Sequence, residues 1–108
     1  MGLPITLTAA AGRYLISVDD LQIGDSSNAV MLAEAGHDPV LYVPRADMNM
    51  DLLRPTARHS TCPWKGEASY FSVGTQENII WTYDRPMDRV AEIAGHLAFY
   101  PAVTVELF

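Results

Sequence analysis

The sequence predicts one mainly antiparallel β domain, α+β only at the margin, carrying one or two short helices. Three observations predict it. Short apolar or alternating runs recur along the chain, each ended by Gly, Pro, Asp or Asn. Glu67 to Tyr83 has the pattern of a hairpin, two alternating runs joined by a Gly-containing connection. The length of 108 residues suits one core, and no linker or repeat divides it, so residues 1–108 are read as one domain.

The elements follow in order. Arg13 to Val18 (RYLISV) is a strand, Asp19-Asp20 a turn, and Leu21 to Ile23 a second short strand before the turn Gly24 to Asn28. Ala29 to Ala35 (AVMLAEA) has helix-favouring residues. Its limits at Asn28 and Gly36 are only two helical turns apart and strands lie on either side, so it is read as a strand. Val40 to Val43 is β-branched and aromatic, and Pro44 ends it. Arg45 to Leu53 begins with a helical turn, because proline suits the first helical position. From there to Trp64 the chain is polar and reads as irregular.

In Glu67 to Val73, Ala68, Tyr70 and Ser72 face one way and Ser69, Phe71 and Val73 the other. Gly74-Thr75-Gln76 connects this run to its partner, Glu77 to Tyr83. Asp84 is placed to cap a short helix over Pro86 to Ile93, with Val90 and Ile93 on one stripe and Gly95 as its stop. His96 to Tyr100 and Val103 to Phe108 are the last strands, separated by Pro101-Ala102.

Composition narrows the function classes. With 49% hydrophobic and 19% charged residues the chain can bury a core. A net charge of −6 and a pI near 4.7 argue against a general nucleic-acid binder, which needs clustered cations. The single cysteine, Cys62, makes no internal disulfide, so folding needs no oxidising compartment. The first twenty residues show no basic segment ahead of an apolar run and no stretch long enough to cross a bilayer. Gly2 and Thr6 match a bare myristoylation pattern without neighbouring cations to support it. A cytoplasmic protein with no membrane partner is therefore expected. Cys62, His37, His59 and His96 lack paired zinc-knuckle spacing, so neither a metal nor a cofactor is expected.

The stretch His59 to Tyr70 (HSTCPWKGEASY) holds the only cysteine and the only lysine. His59 and Lys65 each lie three residues from Cys62, and either cation held close would favour its thiolate. Nucleophilic catalysis would further need a base (His59 or His96), an orienting acid (Asp47, Asp51 or Glu67) and a donor (Lys65 or Arg45). Spacing alone does not assemble them, and cysteine is as readily a small buried hydrophobe. Both readings stay open.

Arg45, Arg54, Arg58 and Lys65 comprise four of the seven cations, with only Asp47 and Asp51 between the first and last of them. They read equally as an anion-holding concavity walled by Tyr42, Trp64, Tyr70, Trp81, Tyr83 and Tyr100, or as a solvated loop. His96 is read as a buried histidine or a pocket-lining one. Trp81 and Tyr83 share strand parity; packing is the first reading for Trp81, whereas the polar tip of Tyr83 suits a site.

Leu21 to Glu106 resembles the bacterial family DUF427, a domain of unknown function, through several anchors in order. These are Asp25-Ser26, Val43-Pro44-Arg45, Thr56 followed by Cys62-Pro63-Trp64-Lys65-Gly66, Trp81-x-Tyr83, and Ala98-Phe99-Tyr100-Pro101. Trp64 stands where tyrosine is more usual, and His96 where other members often have tyrosine, which lowers its standing as a required base. The resemblance implies a β-tent or Mss4-like fold. It groups Arg45, Cys62, Lys65, Tyr70, Trp81, Tyr83 and Tyr100 into one pattern. The family is sometimes labelled nucleotidyltransferase-like, but the chain lacks an evident carboxylate pair for divalent metal and nucleotide phosphates.

The resulting expectation is a small-molecule binding protein or enzyme with an anion-tolerant, aromatic-lined pocket around Arg45, Cys62, Lys65 and Tyr83. Cys62, Lys65 and His59 are its catalytic candidates, and Arg45, Trp64, Tyr70, Trp81, Tyr83, His96 and Tyr100 its binding candidates. The alternatives are an interaction module and a structural accessory domain. A concave cluster would favour the first, a flat aromatic patch the second, and fixed burial of the polar tips the third. Exposed sheet edges make a homodimer a further expectation.

Overall fold

The computed structural model describes residues 4–108. Among these residues ten strands form three antiparallel sheets. The first joins β1 (Ile5–Ala9), β4 (Val30–Glu34) and β5 (Val40–Tyr42) in the order β1-β4-β5. The second joins β2 (Tyr14–Val18), β3 (Leu21–Ser26) and β10 (Thr104–Leu107) in the order β10-β2-β3. The third runs β6-β7-β8-β9 through Arg54–Cys62, Gly66–Val73, Gln76–Thr82 and Leu97–Phe99. Val43 and Leu97 exchange two backbone hydrogen bonds of 2.9 and 2.8 Å, so the chain leaving β5 is stitched onto β9.

Strands β7, β8 and β9 of the third sheet bury side chains on both faces. Phe71, Val73, Ile80 and Leu97 point into one core with Ile16, Val18 and Ile23 of the second sheet. Ala68, Tyr70, Tyr83 and Ala98 point the other way, into a second core with Leu32, Tyr42, Val90 and Ile93. Strand pleating separates these sets, since successive side chains alternate between faces. The second core is the one that frames the site.

The predicted hairpin is present, with Tyr70 opposite Trp81 and Phe71 opposite Ile80. Its connection is tighter than expected: Gln76 pairs with Val73, leaving Gly74-Thr75 as the loop, and Gly74 has φ 55°. Asp19 and Asp20 make the turn between β2 and β3 with φ of 49° and 68°. That left-handed backbone is tolerated best by Gly, Asn and Asp.

Several elements differ from expectation. The polar segment after Leu53 is not irregular; it forms the nine-residue strand β6. As an edge strand it leaves most side chains exposed, so it has no apolar alternation, and Pro55 is tolerated there. β1 went unassigned although Ile5-Thr6-Leu7-Thr8 alternates; Ile5 and Leu7 pack against the second core. β3 continues through Gly24, Asp25 and Ser26, where a turn was expected. Asp84 does not cap the helical segment, which is a 3₁₀ run over Asp88–Ile93 beginning after Met87. Val90 and Ile93 are nonetheless its buried stripe. Arg45–Asp47 and Met50–Leu52 are further 3₁₀ turns.

Candidate functional site

The stretch that holds Cys62 is a tight turn. Cys62 is the last residue of β6 and pairs with Gly66, the first of β7. The Lys65 N–H donates to the Cys62 carbonyl at 3.3 Å, and Pro63 presets the first corner of the turn. Gly66 has φ 116°, and a Cβ there would lie 3.3 Å from the Arg85 carbonyl oxygen. The Met87 N–H donates to the Lys65 carbonyl at 2.9 Å, which ties the turn to the segment leading into the 3₁₀ run.

That turn directs the Cys62 and Lys65 side chains inward. Lys65 Nζ lies 3.8 Å from Cys62 Sγ and donates at 2.8 Å to Glu34 Oε1 of β4. The Lys65 and Glu34 side chains are only 13% and 9% exposed. Such an ion pair stands in a weakly screening environment, where loss of either partner leaves a costly lone charge.

Around the pair opens a cavity of about 510 Å³. Its walls are Tyr42 of β5, Trp64 of the turn, Tyr70 of β7, Trp81 of β8, Tyr83 just beyond β8 and Tyr100 after β9. Leu32 and Val40 supply apolar surface, while Cys62, Lys65, Glu34, His37 and Asp38 supply the polar groups. Three of the aromatic rings touch in series. Trp81 meets Tyr42 edge to face at 6.5 Å and lies 4.7 Å from Tyr100 at a 51° tilt. Arg89 stacks over Trp64 at 5.6 Å and Arg58 over Tyr70 at 4.9 Å.

The phenols have different acidities. Burial pushes Tyr42 up to about 12 and raises Tyr83 as well, so both stay neutral across the physiological range. Burial also opposes ionisation of Tyr70, but the Ser60 hydroxyl at 2.7 Å, nearby Tyr100 and the Arg58 guanidinium outweigh it. Its phenol ends below the ordinary tyrosine value, while burial and the neighbouring Tyr70 raise Tyr100.

The match to the family described as a domain of unknown function, DUF427, spans residues 6–108. The chain belongs to the DUF427 family. No curated protein matches it.

Of the candidates drawn from the sequence, Cys62, Lys65, Trp64, Tyr70, Trp81, Tyr83 and Tyr100 come together in this DUF427 chain around this cavity. Three do not line it. Arg45 is turned to the far side of the third sheet, over Phe71 at 5.7 Å, where it donates to the Gly95 carbonyl at 3.1 Å and pairs with Asp84 at 3.0 Å. It therefore corrects the expected cluster, because its guanidinium is spent on joining β8 to the Gly95 turn. His59 is half exposed on the edge strand, with Nδ1 3.4 Å from Ser69 Oγ and 3.9 Å from Glu67. His96 points its Nδ1 at the Ala94 carbonyl, 3.2 Å away, and its own carbonyl accepts from Thr82 at 2.7 Å.

Glu34, His37 and Asp38 were not among the site candidates drawn from the sequence. The signal for Glu34 was its position, an acid inside the apolar run AVMLAEA. His37 and Asp38 sit in a turn between strands, where sequence gives no direction for a side chain. Among the described residues no group of three His, Cys, Asp or Glu side chains is arranged to hold a metal ion. Also among them, no helix is long and apolar enough to cross a membrane.

Proposed function

We propose that this DUF427 domain binds a small organic molecule in the aromatic-lined cavity, with Lys65 meeting an oxygen of the ligand. The observation that carries the reading is six aromatic residues walling a cavity of about 510 Å³, with Cys62 and the Lys65–Glu34 pair among its polar groups. That volume is within the range of small-molecule sites, and an apolar wall with few converging polar groups is their usual chemistry. The aromatic residues wall a concavity, which supports this reading over an interaction module with a flat patch. A binding role has more support than catalysis. Lys65 is the only side chain hydrogen-bonded to Cys62 among the described residues, and His59 stands outside the cavity. Glu34 balances the Lys65 charge, so the pair offers a ligand hydrogen bonds more than a net positive charge.

The chain has two tryptophans, Trp64 and Trp81, and both line the cavity, so intrinsic fluorescence reports on its occupancy. A metabolite library is screened by native mass spectrometry, and each hit is titrated by fluorescence. Saturable binding that a bulkier Val40→Phe substitution at the cavity wall weakens at least tenfold supports the proposal. Hits that bind without altering tryptophan emission, or no hit from a broad library, would overturn it.

A further inference from the structure

We propose that the ligand is a planar, uncharged ring bearing an N–H and a C=O side by side, as in a lactam or cyclic amide. The inference rests on the small-molecule reading above and names its ligand class. It starts from the Lys65–Glu34 pair. An isolated ammonium in a pocket would select an anion, but here a carboxylate sits 2.8 Å from it, so any full anion approaching Lys65 also approaches Glu34. An organic cation drawn to the aromatic wall meets the converse problem at Lys65. The pair cancels as charge and remains as a hydrogen-bond donor beside an acceptor.

Both members keep unused capacity. An ammonium has three N–H donors; the side-chain partners of Lys65 are Glu34 at 2.8 Å and the weak acceptor Cys62 at 3.8 Å. Among the described residues, Lys65 is the only hydrogen-bond donor to the Glu34 carboxylate, at Oε1. A ligand edge with a carbonyl next to an N–H complements that arrangement, the carbonyl taking a Lys65 proton and the N–H giving to Glu34. The walls point the same way. Trp64, Tyr70, Trp81, Tyr83 and Tyr100 line the cavity, and aromatic side chains of this kind stack on flat π systems. A polar edge matched in a largely buried site discriminates strongly against analogues that lack one of its hydrogen bonds.

The test is a ¹H–¹⁵N NMR titration of the full chain with four fragments of similar size. These are 2-pyridone, N-methyl-2-pyridone, benzoate and phenyltrimethylammonium. The expected result is saturable shifts at Glu34, Lys65 and Trp81 with 2-pyridone, and at least tenfold weaker binding of each of the other three. Glu34→Gln keeps an acceptor but removes the compensating charge, so benzoate should gain at least tenfold relative to 2-pyridone. Retained dispersion of the variant's spectrum establishes that it is folded; the four-fragment comparison on the native chain decides the matter without it. Equal binding of 2-pyridone and its N-methyl analogue would overturn the inference, as would tighter binding of benzoate or the ammonium. If no fragment binds while the metabolite screen yields a cavity ligand without such an edge, the ring class is wrong and the small-molecule reading stands. Silence in both experiments overturns both.

Discussion

Lys65 Nζ and Glu34 Oε1 are 2.8 Å apart, and the two side chains are almost out of solvent. The residues are 31 positions apart in the chain, and the pair fastens the turn after β6 to the strand β4 of another sheet. Removing either partner strands the other. Lys65→Met or Glu34→Ala should each lower unfolding free energy by about 3 kcal/mol. The double variant should cost clearly less than the two singles together. Urea unfolding of the four proteins measures this, and strict additivity would show that the pair contributes no coupling.

Gly66 serves the same turn through its backbone. Its φ of 116° is disfavoured for a side-chain-bearing residue, and the Arg85 carbonyl would crowd a Cβ at 3.3 Å. Gly66→Ala should cost about 1–3 kcal/mol. Gly74→Ala, at φ 55° with no neighbour within 4 Å of the added carbon, should cost less. Thermal or urea unfolding of the two variants gives the ranking; a reversed order would count against the close approach at Gly66.

Arg45 should matter for stability and not for ligand. Its contacts are the Gly95 carbonyl, the Thr82 hydroxyl, Asp84 and the face of Phe71, none of which lines the cavity. Arg45→Met should destabilise by about 1–2 kcal/mol, chiefly through the lost charged hydrogen bond to a backbone carbonyl. The Asp84 contact is exposed and counts for little. Ligand affinity, read by tryptophan emission, should stay within twofold; a tenfold loss would return Arg45 to the site.

The alkaline limb of stability should report Tyr42 and Tyr83. Burial raises both phenols, Tyr42 to about 12, above an unfolded value near 10. The folded state then holds protons that the unfolded chain releases, so this stabilisation is present in full below about pH 10. It declines as pH rises through the folded values. Each such group steepens the loss by about 1.4 kcal/mol per pH unit between its unfolded and folded values. Tyr42→Phe should therefore flatten the slope of unfolding free energy between about pH 10 and 12. An unchanged slope would mean that Tyr42 ionises in the folded protein as it does in the unfolded chain.

Tyr70 should behave in the opposite sense. Its phenol lies below the ordinary value because Ser60, Tyr100 and Arg58 outweigh its burial. Ultraviolet titration of tyrosinate should show one early phenol, and Arg58→Met should move it upward by removing the guanidinium over its ring. A titration curve identical in the two proteins would remove Arg58 from that role.

Much of the β domain was legible because its signals are local. Alternation in Glu67 to Tyr83 and the turn chemistry of Asp19-Asp20 and Gly74 determine strands and reversals without reference to distant residues. The grouping of Cys62 with Lys65, three residues apart, was legible for the same reason. Tertiary structure decided the rest. β6 owes its extended form to pairing with β7, since an exposed edge strand needs no apolar pattern of its own. Glu34 reaches Lys65 only because β4 and the Cys62 turn meet across sheets. Arg45, which follows Pro44 and belongs by spacing to the cations of the Arg45 to Lys65 stretch, was carried to the opposite face of the third sheet. Spacing along a chain constrains neighbours within a turn or a strand, where backbone geometry sets direction. Which long-range side chain completes a site depends on how the sheets pack, and that is fixed by burial of the two cores rather than by any residue of the motif.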